Sequence, residues 1–129
     1  MDVKVENSVA RIRINSNQIF ENHEDSFFEE YESEIVFLED GFRILYDNSE
    51  ISFDGEKVFV KNSNMVFEVE IGKRSLTNMN TPYGVIELEI TGEKFNFIKE
   101  PFCFDLRYFI KFGNTEKYIN ELQILVVDK

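Results

Sequence analysis

Apolar and polar side chains alternate over residues 102–112, and this pattern constrains the fold more than any other feature of the sequence. Successive side chains of an extended strand point to opposite faces, so residues at every second position share one face. Six apolar residues occupy such positions here: Phe102, Phe104, Leu106, Tyr108, Ile110 and Phe112. A helix would scatter them around its circumference. The segment therefore predicts a long strand with one buried face, and Gly113-Asn114 predicts a tight turn into another strand over 117–127.

The same alternation predicts eight more strands upstream, at residues 8–15, 25–32, 34–38, 42–47, 51–53, 58–61, 65–71 and 84–91. Asp40-Gly41 and Asp54-Gly55 lie between apolar runs and predict hairpin turns, because Asp and Gly tolerate the positive φ that such turns need. The polar segment 16–24 is predicted to be a loop. The sequence thus indicates about ten short strands and no helix.

About ten antiparallel strands leave two exposed edges unless the sheet closes. Each strand has one apolar face, the connections are short, and no long crossover is evident, so we expect a meander whose ends meet. The chain of 129 residues contains fourteen Phe and no Trp, which predicts a core of rings that need no hydrogen-bond partner. The prediction is an all-β protein: a single antiparallel up-and-down β-barrel that occupies residues 1–129 as one domain.

Charge and residue counts exclude several classes of function. Fourteen basic and 25 acidic residues give a net charge of −11, which repels nucleic acid. Cys103 is the single cysteine and His23 the single histidine, so a disulfide, a cysteine zinc site or a histidine-rich metal cluster cannot be built within one chain. No apolar run is long enough to span a membrane, and the N-terminus does not resemble a signal peptide. We expect a cytoplasmic protein without metal or cofactor.

The stretch Thr81-Pro82-Tyr83-Gly84, followed by the strand at 84–91, resembles a motif of the YwiB-like family, small bacterial proteins of unknown function. Met65-Val66-Phe67 upstream and residues 104–108 and 120–124 downstream are similar to the same family in order and spacing. The resemblance implies a calycin, or lipocalin-like, β-barrel. By analogy with calycins it also implies a small apolar or amphipathic ligand in the barrel.

Four polar residues fall on otherwise apolar faces and are the candidate ligand-binding residues: Tyr46, Tyr108, Tyr118 and Asn120. Inside a barrel such groups need partners, which could be a ligand, the backbone or one another. His23 is interpreted as a solvated loop residue and Cys103 as an inert thiol.

Two functions remain open from the sequence, and an enzyme is the least supported because no nucleophile, base and orienting group can be assembled. The first is a binding protein with a small apolar or amphipathic molecule in the barrel. The second is a protein-interaction module with a filled barrel, whose acidic outer surface docks a basic partner. An interior cavity larger than a few hundred Å³ would favour the first function.

Overall fold

A computed structural model describes residues 6–63, 65–112 and 117–128, and within them ten antiparallel strands form one sheet. The strands are β1 (Glu6–Phe20), β2 (His23–Phe37), β3 (Phe42–Tyr46), β4 (Ser49–Phe53), β5 (Lys57–Lys61), β6 (Val66–Glu70), β7 (Arg74–Thr81), β8 (Gly84–Ile98), β9 (Cys103–Phe112) and β10 (Lys117–Asp128).

The sheet curls into a nearly closed barrel, as the alternation predicts. Its strand order is β6-β5-β4-β3-β2-β1-β10-β9-β8-β7, so every neighbouring pair is consecutive in sequence except β1 and β10. Those two strands pair from Arg11 opposite Asp128 to Ile19 opposite Ile119. The two ends of the meander therefore meet, and the remaining gap lies between β6 and β7.

Two side-chain hydrogen bonds join β6 and β7 across this gap, which we call the seam. The Ser75 hydroxyl donates to the Glu68 carbonyl at 2.8 Å, and the Thr77 hydroxyl donates to the Val66 carbonyl at 2.6 Å. At the end of the seam the Gly72 N–H donates to the carbonyl of Gly92 at 2.9 Å. Hydroxyl groups here take the place of backbone N–H donors, since no backbone ladder pairs β6 with β7 among the described residues.

The predicted number of strands is confirmed, but two strand assignments are wrong. Residues 25–32 and 34–38 belong to the single long strand β2, and β7 was not predicted. The segment 16–24 is not a loop, because β1 continues to Phe20 and β2 begins at His23. Its polar side chains lack the apolar alternation that predicts a strand. Partners distant in sequence hold this part of the strand in place, as Glu121 does for Asn17.

Both Asp-Gly pairs lie between paired strands, as predicted. Asp40-Gly41 connects β2 to β3, and Asp54-Gly55 connects β4 to β5 with Gly55 at φ 102°. A third hairpin, between β3 and β4, turns through Asp47-Asn48 at φ 42° and 57° without a glycine. The turn predicted at Gly113-Asn114 lies outside the described residues.

Phenylalanine rings fill one end of the barrel. Phe42 is completely buried, and its ring centroid lies 5.0–6.0 Å from those of four others: Phe53, Phe97, Phe102 and Phe104. Ile12, Ile44, Ile90 and Ile124 are also completely buried. At this end the interior is a packed core with edge-to-face and tilted rings.

Candidate functional site

Tyr46 and Tyr108 face the barrel interior at the end opposite the phenylalanine cluster. Tyr108 packs against Phe67, with ring centroids 5.9 Å apart, and Tyr46 packs against Tyr31 at 5.0 Å. Burial raises the pKa of Tyr108 to about 12, and the nearby Tyr46 adds to the effect. Burial, with the charges of Glu29 and Asp47, also raises the pKa of Tyr46. Both phenols therefore stay neutral at physiological pH.

Tyr118 and Asn120 lie on β10, on the same interior face. The Tyr118 ring stacks on Phe20 at 4.3 Å, so another aromatic ring covers one of its faces. Asn120 is buried and stands opposite Tyr108 in the pairing of β9 with β10. The structure thus brings Asn120 and Tyr108 together as cross-strand neighbours.

The open space beside these residues is small. A recess of about 180 Å³, which we call the mouth, is lined by Ile14, Ser16, Phe27, Glu29, Tyr31, Tyr46 and Leu122. Of the four candidate residues only Tyr46 lines it. Sites for drug-sized molecules usually measure about 300–1,000 Å³, so the mouth is below the size of such a site.

The Thr81-Pro82-Tyr83-Gly84 stretch forms the turn between β7 and β8. The Thr81 hydroxyl donates to the carbonyl of Gly84 at 2.7 Å and accepts the N–H of Tyr83 at 3.2 Å. Gly84 has φ 122°, a conformation that side-chain-bearing residues rarely adopt, and the Tyr83 side chain is fully exposed. These four residues shape a hairpin turn and do not line the mouth.

A larger concavity lies on the outside of the barrel, across β2, β1, β10, β9 and β8. This outer groove has a volume of about 690 Å³ and is lined by residues 15–17, 26–28, 94–96, 105–107 and 121–123. Three consecutive residues from each of five strands contribute to it. Strand register aligns the outward-facing residues in two rows that cross the sheet.

The first row is Phe28, Asn15, Gln123, Asp105 and Asn96, each opposite the next in the strand pairing. The Asn15 amide donates to the Gln123 side-chain carbonyl at 2.9 Å. Phe28 is 62 % exposed and supplies an apolar wall at one end of the row. Side-chain amides, which both donate and accept hydrogen bonds, form its middle.

The second row is Ser26, Asn17, Glu121, Arg107 and Lys94, in the same strand order. The Ser26 hydroxyl donates to the Asn17 side-chain carbonyl at 2.8 Å, and the Asn17 amide donates to Glu121 at 3.0 Å. Arg107 Nη1 donates to the other Glu121 oxygen at 3.3 Å. These bonds fix the positions of the polar side chains before any ligand is bound.

The formal charges of the groove cancel. Arg107 and Lys94 are balanced by Asp105 and Glu121 within the lining. Arg107 Nε also lies 2.6 Å from a carboxylate oxygen of Glu93, an ion pair without hydrogen-bond alignment. The residues that line the groove therefore sum to zero charge, on a chain of net charge −11.

Cys103 lies outside the core. His23 is solvent-exposed, as predicted, but it belongs to a strand and not to a loop. Cys103 faces away from the core beside the groove, where burial and Asp105 raise the pKa of its thiol. The exposed His23 begins β2 instead of lying in a loop, and its Nε2 is 3.0 Å from Asp25. Because a raised pKa disfavours the thiolate, Cys103 is poorly suited to act as a nucleophile.

The part of the chain that the structure describes holds neither a metal-binding cluster nor a membrane-spanning helix. Residues 6–63, 65–112 and 117–128 contain no group of three His, Cys, Asp or Glu side chains placed to hold a metal ion. Over the same ranges no helix has the length and apolar character needed to cross a membrane.

The sequence interpretation missed the outer groove. Its residues come from segments as far apart as Asn15 and Gln123, and only the strand register aligns them. Asn15 and Asn17 alternate with Ile14 and Ser16, which is the one local signal that two amides share an outward face.

The comparisons with known proteins support the fold. No family model and no curated protein matches the chain. Among solved structures, the chain is similar to the ywiB protein from Bacillus subtilis, with a TM-score of 0.71. The two share 8 % sequence identity, and the match covers 96 % of this chain and 94 % of the other. At this identity the likeness shows a YwiB-like fold and nothing about activity.

Proposed function

We propose that this protein is a non-enzymatic binding protein of the calycin class, related to the YwiB-like family, that holds a small amphipathic molecule in the outer groove. The observation that supports this most is the contrast in volume between the groove, about 690 Å³, and the mouth, about 180 Å³. Ligand sites occupy the range from about 300 to 1,000 Å³. The proposal keeps the expected kind of ligand and moves it from the barrel interior to the outer face. We expect the protein to act in the cytoplasm.

The lining of the groove indicates the chemistry of the ligand. Phe27 and Phe28 are 49 % and 62 % exposed and offer apolar contact area. Asn15, Asn96 and Gln123 offer amide groups that can bind hydroxyl or carbonyl oxygens. With the charges in balance, the groove favours a neutral molecule with an apolar face and several oxygens, and the field of the whole chain disfavours anions.

A ligand inside the barrel is the second candidate, and the lining of the mouth supports it. Tyr46, Tyr31 and Glu29 converge there beside the apolar side chains of Ile14, Phe27 and Leu122. A molecule bound there would have to be very small, or Phe27 and Leu122 would have to move.

The experiment is a titration of the isotope-labelled protein with octyl glucoside below its micellar concentration, followed by two-dimensional NMR. We expect saturable shifts of the side-chain amide signals of Asn15, Asn96 and Gln123. Decanoate, which has a similar chain and a negative charge, should bind more weakly. Absence of saturable binding by octyl glucoside would count against the proposal.

Two tryptophan variants distinguish the groove from the mouth. Asn96 is exposed and lines the groove, so Asn96→Trp fills it without disturbing the core. Glu29 is exposed and lines the mouth, so Glu29→Trp is the matched control. We expect Asn96→Trp to weaken binding at least about tenfold and Glu29→Trp to leave it unchanged. The reverse result would place the ligand inside the barrel.

A further inference from the structure

Strand β2 has an edge that no strand covers along most of its length. β1 pairs with it over its whole span, from His23 to Phe37. On the other side β3 pairs only with residues 34–37, and the sheet order gives β2 no other neighbour among the described residues. Along residues 23–33, every second residue thus presents its backbone N–H and C=O groups on a free edge.

The place where β3 leaves β2 is recessed. A concavity of about 570 Å³ is lined by Glu32, Ser33 and Glu34 of β2, by the β3–β4 turn at residues 45–50, and by Val9 and Lys61. A further strand could enter here and continue the ladder that β3 leaves after Leu45. The free edge therefore has both unpaired backbone groups and room for an added strand.

The charge of this edge selects its partner. Residues 23–33 contain five carboxylates: Glu24, Asp25, Glu29, Glu30 and Glu32. Arg11 and Arg13 neutralise Glu30, whereas the exposed Glu29 and Glu32 form no ion pair among the described residues. Because β alternation turns Glu29 and Glu32 to opposite faces, a partner strand would meet a carboxylate on each face.

A second copy of the chain does not suit this edge. Pairing β2 with β2 of another molecule would bring two rows of carboxylates together, and like charges directly opposite destabilise a strand pair. An extended segment with Lys or Arg at alternate positions would instead place opposite charges across the ladder.

We propose that the free edge of β2 at residues 23–33 binds a basic, extended segment of a partner protein as an additional antiparallel strand. The backbone supplies the ladder of hydrogen bonds, and Glu29 and Glu32 select the charge. This interaction lies beyond the proposed binding of a small molecule. Residues 26–28 belong to both sites, but the added strand would bind the backbone edge of β2 and the small molecule would bind the outward side chains, so each proposal has its own ligand and its own test.

The test uses a fluorescein-labelled eleven-residue peptide of alternating Lys and Val, with binding followed by fluorescence anisotropy. We expect saturable binding that weakens as salt is raised. A peptide with Glu in place of Lys should not bind. A Lys-Val peptide that is N-methylated along one edge cannot complete the ladder and should bind at least about tenfold more weakly.

Charge-reversal variants distinguish binding at the β2 edge from attraction to the net negative charge of the protein. Glu29→Lys combined with Glu32→Lys should weaken binding at least about tenfold. The matched control, Glu39→Lys combined with Glu87→Lys, makes the same change in net charge at exposed positions away from the edge and should lower affinity far less. Equal loss in both variants would overturn the proposal, because it would show attraction to the whole acidic chain.

Hydrogen exchange locates the bound peptide. We expect new protection of amides within residues 23–33 when the Lys-Val peptide is added. Protection confined to another strand, equal binding of the N-methylated peptide, or no binding at low salt would each overturn the proposal.

Discussion

Replacing Gly92 with alanine tests how the barrel closes. A Cβ atom at this position would lie 2.6 Å from the carbonyl oxygen of Glu70, 2.8 Å from its carbonyl carbon and 2.9 Å from Cγ1 of Val69. Ordinary contacts begin near 3.4 Å, so β6 and β8 must separate by roughly 0.8 Å. Because the obstructing atoms are mainly backbone, no side-chain rotation relieves the contact.

The expected loss of stability follows from two contributions. Overpacking of this kind costs about 1–3 kcal/mol. Separation of the strands also weakens the hydrogen bond from the Gly72 N–H to the Gly92 carbonyl, which contributes about 1 kcal/mol. We therefore expect Gly92→Ala to lower the free energy of unfolding by about 2–4 kcal/mol.

Urea unfolding followed by far-ultraviolet circular dichroism is a suitable assay, because the chain has no tryptophan for fluorescence. Gly72→Ala is the control at the other end of the same hydrogen bond. Gly72 has φ 77° and no neighbouring atom within 4 Å of an added Cβ, so only backbone strain of about 1–2 kcal/mol is expected. A loss below about 0.5 kcal/mol for Gly92→Ala would refute the close approach at the seam.

Four further variants test the seam, the core and the buried phenol. Ser75→Ala and Thr77→Val each remove a hydroxyl that joins β7 to β6. Urea unfolding should show each variant to be less stable by about 1 kcal/mol. Unchanged stability would show that these hydroxyl bonds do not hold the seam together. Phe42→Ala should lose about 3–5 kcal/mol in the same assay, whereas the control Phe28→Ala, at an exposed ring, should lose under about 1 kcal/mol; similar losses would contradict a filled interior. Because the pKa of Tyr108 is raised to about 12, its neutral form stabilises the fold below pH 10, and this contribution disappears as the pH rises toward 12. Between pH 8 and 11.5, Tyr108→Phe should therefore lose about 2 kcal/mol less stability than the unmodified protein; equal losses would contradict burial of the phenol.

The strands with strong apolar alternation could be predicted from the sequence. Residues 102–112 have an apolar side chain at every second position, and β9 spans Cys103–Phe112. The hairpin at Asp54-Gly55 could also be predicted, because its turn needs a positive φ that Gly55 adopts. In both cases the structure is determined by residues close together in the chain, so the pattern can be recognised in the sequence.

The missed elements depend on contacts between distant segments. β7 presents Ser75 and Thr77 to the seam, so the face that carries them has Met79 as its one apolar residue and gives no apolar alternation to detect. The end of β1 is polar because it faces the outer groove, where Asn17 bonds to Glu121. The turn at Asp47-Asn48 could have been found, since both residue types tolerate positive φ.

The sequence predicts only the part of the candidate site that depends on alternation within one strand. The inward orientation of Tyr108 and Asn120 follows from alternation within each strand. The small volume of the mouth does not follow from it, because that volume depends on how Phe27, Tyr31 and Leu122 pack across three strands. The outer groove required the register of five strands.

Nuclear Overhauser effects from bound octyl glucoside distinguish a ligand on the outer face from one within the barrel. We predict contacts from its protons to the side-chain amide protons of Asn15, Asn96 and Gln123. Contacts to the ring protons of Tyr46 and Tyr108, with none to those amides, would contradict the account.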